Sequence, residues 1–241
     1  MTRERTEATL EERSAAERPA PAGSTRGVPM LVLLVREMRP RQWSKNGILF
    51  AALIFSKNLL DGPMLRRSLG GFLVFCLLSG VVYTINDLLD LKEDRLHEVK
   101  RLRPLASGAL PAGLSVAWTV AVAAVALGAA GLMGSRFLLI SVGFLAFNLA
   151  YSLYFKNVVL WDVISISISF IIRAIAGVIA LNTLGRNLTI SPWLLVVTFF
   201  LSLLLGLCKR RHEYVTMRDA GKHRATLDAY SEQLLDQLIN L

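Results

Sequence analysis

Residues 69–91 read LGGFLVFCLLSGVVYTINDLLDL, and the reading of this stretch decides the fold. From Leu69 to Ile85 it carries no charge and is almost wholly apolar. Roughly 20 such residues make one helical crossing of a bilayer core. The same span then ends in Asn86, Asp87 and Asp90. Carboxylates at that depth are costly unless they are paired or bound to a cation, so the segment predicts both a membrane helix and a site at its mouth.

Working outward, further apolar runs stand at 46–60, 115–134, 137–155, 158–181 and 191–208. They predict an all-α, multi-span transmembrane bundle of six spans. The composition agrees: 54% of the 241 residues are hydrophobic, 19% are charged and the mean hydropathy is +0.49. Soluble and disordered classes are thereby excluded. Residues 1–27 mix charge with Ala, Pro and Ser, show no apolar period, and are expected to form a disordered tail. The membrane domain is expected over 28–241, opening with Val28–Val35 as an amphipathic segment on the membrane surface. The chain stops at Leu241 after the amphipathic stretch 230–241, so the expected domain is C-terminally short. Cys76 and Cys208 lie in apolar runs without metal-ligand spacing and are expected to be buried free thiols. Small-residue positions Gly128, Gly131 and Gly134 predict close helix packing.

Lys and Arg number 27 against 18 Asp and Glu, a net charge of +9. With six spans, 17 basic residues near the membrane fall on the side of the N-terminus and the loops 92–114 and 209–229, and 5 on the other. That asymmetry predicts a multi-pass protein of the cell's inner (plasma) membrane, with the N-terminus and both long loops in the cytoplasm. The basic loops converge on one face, where they would attract an acidic substrate. No nucleic-acid partner is expected.

Asn86, Asp90 and Asp94 recur at i, i+4 and i+8, along one face of a continuous helix, and Asp87 borders that stripe. Clustered carboxylates with an amide oxygen suit a hard divalent ion, Mg²⁺ above all, which combines few protein oxygens with substrate phosphate and water. An interfacial helix end whose acids only face water is the bland alternative. Just beyond lie Lys100 and Arg103, placed to clamp phosphate oxygens; ordinary cytoplasmic positive charge is the other reading. Arg173 stands mid-span in an apolar helix, which makes it either a functional residue or one half of a structural salt bridge, with Asp162 a possible partner.

The pattern Asn86-Asp87-x-x-Asp90-x-x-x-Asp94 with Lys100-x-x-Arg103-Pro104 resembles the first aspartate-rich motif of the UbiA superfamily of intramembrane prenyltransferases. The resemblance covers about residues 36–241 and implies a helical bundle whose central cavity holds a Mg²⁺-bound diphosphate. Arg39-Pro-Arg-Gln-Trp-Ser-Lys45-Asn46, Tyr151-Ser-Leu-Tyr-Phe-Lys156, Phe170-Ile-Ile-Arg173 and Lys209-Arg210-Arg211-His212-Glu213 resemble the decaprenyl-phosphate phosphoribosyltransferase branch. That implies a transferase of cell-wall arabinan synthesis, with phosphoribosyl diphosphate as donor and a polyprenyl phosphate as acceptor. The implied roles are Asn86, Asp90 and Asp94 on Mg²⁺, with Asp87 among the catalytic group. Lys45, Tyr83, Lys100 and Arg103 would take the donor, and Lys156, Arg173, Lys209, Arg210 and Glu213 the acceptor or further phosphates.

One departure stands out. Where related aromatic prenyltransferases carry a second aspartate-rich motif, this chain has Lys209-Arg210-Arg211-His212-Glu213 and later Asp219. The exchange of acids for bases favours binding two phosphorylated substrates. An aromatic prenyltransferase of quinone biosynthesis fits the first motif but not this one. A transporter would be expected to show an inverted repeat, and no second copy of the Asn86–Asp94 pattern occurs.

Overall fold

The computed structural model describes residues 28–185, 187–216 and 230–240. The expected tail at 1–27 and Asp219 lie outside the described residues. In chain order the helices are α1 (Met30–Glu37), α2 (Ala51–Phe55), α3 (Gly62–Leu89), α4 (Leu91–Leu96), α5 (Ala112–Met133), α6 (Ser135–Leu153), α7 (Trp161–Asn182), α8 (Pro192–Thr216) and α9 (Glu232–Asn240). Three 3₁₀ segments, Pro40–Phe50, Lys100–Leu102 and Phe155–Asn157, join them, and the described residues contain no strand.

Five helices (α3, α5, α6, α7 and α8) are long and apolar enough to cross a membrane, and the chain is a multi-pass membrane protein. The sixth expected span, at 46–60, is corrected. It is the 3₁₀ segment Pro40–Phe50 followed by the single short turn of α2. Because a 3₁₀ helix rises ~2.0 Å per residue against 1.5 Å, residues 40–55 still extend about 30 Å. They run antiparallel to α3 and parallel to α7, with Asn46 beside Ser79 and Arg173, and Leu53 beside Met64 and Leu181.

The close approaches that this threading demands fall on glycines other than the expected stripe. A Cβ on Gly177 would stand 2.2 Å from the Leu49 carbonyl oxygen, and one on Gly80 would stand 2.5 Å from Met38. Gly128, by contrast, faces open space, and at Gly131 the nearest neighbour is 3.9 Å away. Gly134 acts differently: its φ of 132° makes the one-residue reversal between α5 and α6, a conformation side chains disfavour.

The core is layered around aromatic rings. Phe75 of α3 packs on Phe144 and Phe137 of α6 with centroids 5.0 and 5.9 Å apart, and Leu78, Ala126, Ala130, Ala176 and Ala180 close the layer. Within a bilayer, lipid tails are as apolar as leucine, so it is this packing rather than burial from water that holds the helices together. The outward faces of α5, α6 and α8 accordingly carry exposed Val120, Val125, Leu139, Phe200 and Leu205. Cys208 lies on such a face and is exposed, which corrects its expected burial; Cys76 is buried, and both are free.

The two ends of the bundle are distinct. At one, Asp61 caps α3 by accepting from the Met64 amide (3.0 Å), and the Arg67 side chain donates to Thr183 Oγ1 (2.8 Å) and to the Met133 carbonyl. That ties the start of α3 to the ends of α5 and α7. At the other end gather the ends of α3, α6 and α8 and the starts of α5 and α7. α1 lies across this end, with Leu33 and Leu34 buried on Leu105 and Leu110 while Met30, Leu31, Val32 and Val35 stay exposed. This is the two-faced character expected of the segment after residue 28.

Candidate functional site

α3 stops at Leu89, Asp90 serves as its C-cap with φ −91° and ψ 11°, and α4 restarts at Leu91. This break divides the aspartates between two environments. Asn86 and Asp90 remain together: the Asn86 amide donates to Asp90 Oδ2 (3.2 Å), and the Lys156 ammonium, arriving from the 3₁₀ turn after α6, pairs with Oδ1. Asp90 and Lys156 are each about a fifth exposed, so this pair opens to the site.

Asp87 and Asp94 instead face inward, 2% and 1% exposed. Asp87 accepts from Arg39 (2.7 Å to Oδ2) and from Arg103 (2.9 Å to Oδ1). The same Arg103 nitrogen pairs with Asp94, and Lys100 approaches Asp94 at 3.6 Å. Arg39 adopts a left-handed backbone (φ 53°, ψ 63°) and lays its guanidinium 5.3 Å from the Tyr83 ring centroid. Such a conformation costs a non-glycine residue roughly 1–2 kcal/mol and is retained where surrounding contacts over-determine it. Arg39 was not among the sequence candidates; the only signal was its place in the Arg-Pro-Arg-Gln-Trp run.

Glu37, at the end of α1, is buried against this cluster and its carboxyl is raised to about 8, first by burial and then by the nearby Asp87 carboxylate. Neither of its oxygens meets a partner at ordinary hydrogen-bond geometry.

Arg173 is 6% exposed in mid-bundle and is not paired with Asp162, which corrects that expectation. It donates to Asn46 Oδ1 (2.8 Å) and to the carbonyl and hydroxyl of Ser169 (2.9 and 2.8 Å), and lies 4.7 Å from the Phe144 ring centroid. Asn46 is held in turn by the Ser79 hydroxyl (3.2 Å). Lys45 reaches open space beside this group. Its ammonium is lowered below the ordinary lysine value, first by the crowding protein and then by the charges of Lys209, Arg173 and Arg39. Lys45 thus feels three other cations, of which Arg173 has only neutral hydrogen-bond partners.

Asp162 belongs to a third group. Arg210 Nε donates to its Oδ2 (2.7 Å), Tyr230 donates to its Oδ1 (2.7 Å), and Arg210 also pairs with Glu213. Arg210 is 4% exposed and Asp162 fully buried. Lys209, mostly exposed, stands 3.7 Å from Glu213. Of the sequence candidates after the sixth run, the structure therefore brings Lys209 toward Lys45, and sets Arg210 and Glu213 in a buried ion pair.

Among the described residues no three His, Cys, Asp or Glu side chains gather to hold a metal. Asn86 and Asp90 nevertheless fit Mg²⁺: one carboxylate and one amide oxygen, partly exposed beside Lys156, match an ion that takes one or two protein ligands together with substrate phosphates.

Comparisons with known proteins bear on the family and the fold. The model of the UbiA prenyltransferase family matches residues 26–225. A Sinorhizobium fredii protein, y4nM, is 35% identical over 194 residues, covering 80% of this chain and 36% of that protein. The decaprenyl-phosphate phosphoribosyltransferase of Mycobacterium tuberculosis is 31% identical over 210 residues, covering 84% of this chain and 67% of that enzyme. This chain thus spans about a third of the first relative's length and about two thirds of the second's. The solved structure of a UbiA homolog from Archaeoglobus fulgidus bound to GPP and Mg²⁺ superposes with a TM-score of 0.69 at 24% identity, over 86% of this chain and 73% of that one. On the matched family model, the shared bundle and the helix-end aspartates, the chain belongs to the UbiA prenyltransferase family.

Proposed function

We propose that the chain carries the site of a Mg²⁺-dependent transferase that moves 5-phosphoribosyl from phosphoribosyl diphosphate to a polyprenyl phosphate, decaprenyl phosphate being the acceptor suggested by the mycobacterial relatives. The observation that carries the reading is the number of cations on the helix-end acids, Arg39 and Arg103 on Asp87, Arg103 and Lys100 on Asp94 and Lys156 on Asp90, with Lys45 within reach of the charges of Lys209, Arg173 and Arg39. A site for one prenyl diphosphate and a neutral aromatic acceptor has no use for so many cations; two phosphorylated substrates do.

In the reaction an oxygen of the lipid phosphate forms a bond to C1 of the ribose, the bond from C1 to the diphosphate oxygen breaks, and diphosphate leaves with that electron pair. Mg²⁺ held by Asn86 and Asp90 would supply charge neutralisation for the departing diphosphate. The attacking oxygen is already anionic, so the chain needs no general base. Asp94 and Asp87 serve by holding Lys100, Arg103 and Arg39 in place, and Tyr83 lies under Arg39 at the donor end. Lys156, paired with Asp90 and about a fifth exposed, would turn to a diphosphate oxygen. Arg173 and Lys45 would meet the acceptor phosphate or the donor's 5-phosphate, with the site face toward the cytoplasm of the plasma membrane. The polyprenyl tail would leave sideways between helices.

The test is transfer of radiolabel from phosphoribosyl diphosphate to the lipid phase by protein supplied with decaprenyl phosphate, with and without Mg²⁺. Label in lipid only with Mg²⁺ is the expected result. No label, under conditions where a prenyl diphosphate and an aromatic acid do react, would replace this reading with the aromatic prenyltransferase.

A further inference from the structure

The turn that carries Lys156 is held from outside its own helices. After the 3₁₀ segment Phe155–Asn157 the chain reverses through Val158–Leu160 into α7, and Leu160 takes a φ of 66°. That left-handed conformation favours glycine and is unusual for leucine, so the turn needs an external support. Beside the stacking of Phe155 on Trp161, that support includes a hydroxyl from outside. Tyr230 accepts from the Leu160 backbone N–H (2.8 Å) and donates to Asp162 Oδ1 (2.7 Å) two residues on.

Tyr230 is itself 3% exposed and is fixed by α9. Leu235 is fully buried with Val163 and Leu207, while Asp236 pairs with Arg211 of α8 and Glu232 lies 3.7 Å from the same arginine. One lone pair and the proton of the hydroxyl are thus both committed. Burial and Asp162 push the phenol up to about 12, so it stays a donor at any physiological pH.

From this geometry we infer that Tyr230 is a positioning residue for the reaction: by bridging Leu160 and Asp162 it sets the turn that presents Lys156 to Asp90 and to the donor's diphosphate. The mechanistic half of this rests on the function proposed above. It also gives Tyr230 and α9 a purpose in the chemistry.

Tyr230→Phe removes the hydroxyl and leaves the ring, Leu235 and the Arg211–Asp236 pair in place. Brief amine labelling of the full chain in detergent, read residue by residue by mass spectrometry, reports Lys156 directly and needs no substrate. Lys156 is expected to label several-fold faster in Tyr230→Phe than in the parent, with Lys92 unchanged as an exposed control. Unchanged Lys156 labelling would overturn the proposal. In turnover, the variant should raise the apparent KM for phosphoribosyl diphosphate about fivefold with kcat nearly constant, and should add nothing in a Lys156→Met background. A Tyr230→Phe effect that persists undiminished in that background would mean that Tyr230 only holds α9, and the inference would be abandoned. If the parent does not use phosphoribosyl diphosphate at all, the function proposed above fails while the labelling result still decides the positioning role.

Discussion

Arg173 and Asn46 meet across the middle of the bundle, the guanidinium Nε donating to the amide oxygen at 2.8 Å, 127 positions apart in sequence. The contact joins the 3₁₀ crossing to α7 and supplies a buried cation with a neutral partner. It also explains how an intramembrane arginine is retained without a carboxylate: amide, hydroxyl and carbonyl oxygens and the faces of Phe144 and Phe170 share the charge.

Removing that partner should be felt in stability. Asn46→Ala strips Arg173 of one charge-assisted hydrogen bond and is expected to cost about 1.5–3 kcal/mol. Thermal unfolding in detergent should show a lower midpoint. An unchanged midpoint would mean that the Ser169 contacts alone satisfy Arg173.

Asp87 and Asp90, only three residues apart, should separate by phenotype. Asp90→Ala leaves the helices intact and is expected to abolish Mg²⁺-dependent turnover with little change in melting. Asp87→Asn leaves Arg39 without its buried counter-charge and Arg103 with Asp94 alone, and should destabilise by about 3 kcal/mol. Near-normal activity of Asp90→Ala would remove it from the metal site.

Docking of α1 should depend on pH through Glu37. Folding raises its carboxyl from 4.5 to about 8, through burial first and Asp87 second. The docked state therefore binds a proton that the undocked state has released. Its stabilisation is complete below about 4.5 and is lost as pH rises through about 8, at roughly 1.4 kcal/mol per unit. The protection of amides 30–37 against exchange, taken relative to the intrinsic rate at each pH, should fall over that range, and Glu37→Gln should flatten the dependence. Protection in the parent that is constant between these pH values would contradict the raised carboxyl.

Gly177→Ala should be severe and Gly128→Ala mild. The added methyl at 177 meets the Leu49 carbonyl at 2.2 Å, backbone against backbone, whereas at 128 it enters open space. A loss of at least 1–3 kcal/mol is expected for the first, in the range of overpacked cores, and a change near zero for the second. Equal melting of the two variants would show that the 3₁₀ crossing can shift to relieve the contact.

Much of the fold was legible along the chain because lipid imposes a local rule: each crossing must be apolar and close its own hydrogen bonds, so α3, α5, α6, α7 and α8 announce themselves one by one. The first crossing was misread as an ordinary α-helical span. Its rise per residue is that of a 3₁₀ helix, and its polar Asn46 is satisfied only by α3 and α7. The small-residue stripe of α5 misled for a similar reason, since which glycine is crowded depends on the neighbour that arrives.

The sequence alone determined the helical membrane class, the cation-rich face and the presence of an acidic helix end, because hydropathy, charge count and spacing are properties of one segment at a time. Tertiary structure decided how the acids divide. An unbroken helix would align Asn86, Asp90 and Asp94; the break at Asp90 turns Asp94 onto Arg103 and leaves Asp90 to Lys156. Likewise the partner of Arg173 is Asn46 rather than Asp162, and Asp162 is taken by Arg210 and Tyr230. Buried charges select partners by distance and desolvation in three dimensions, and neither quantity is written in the order of residues along the chain.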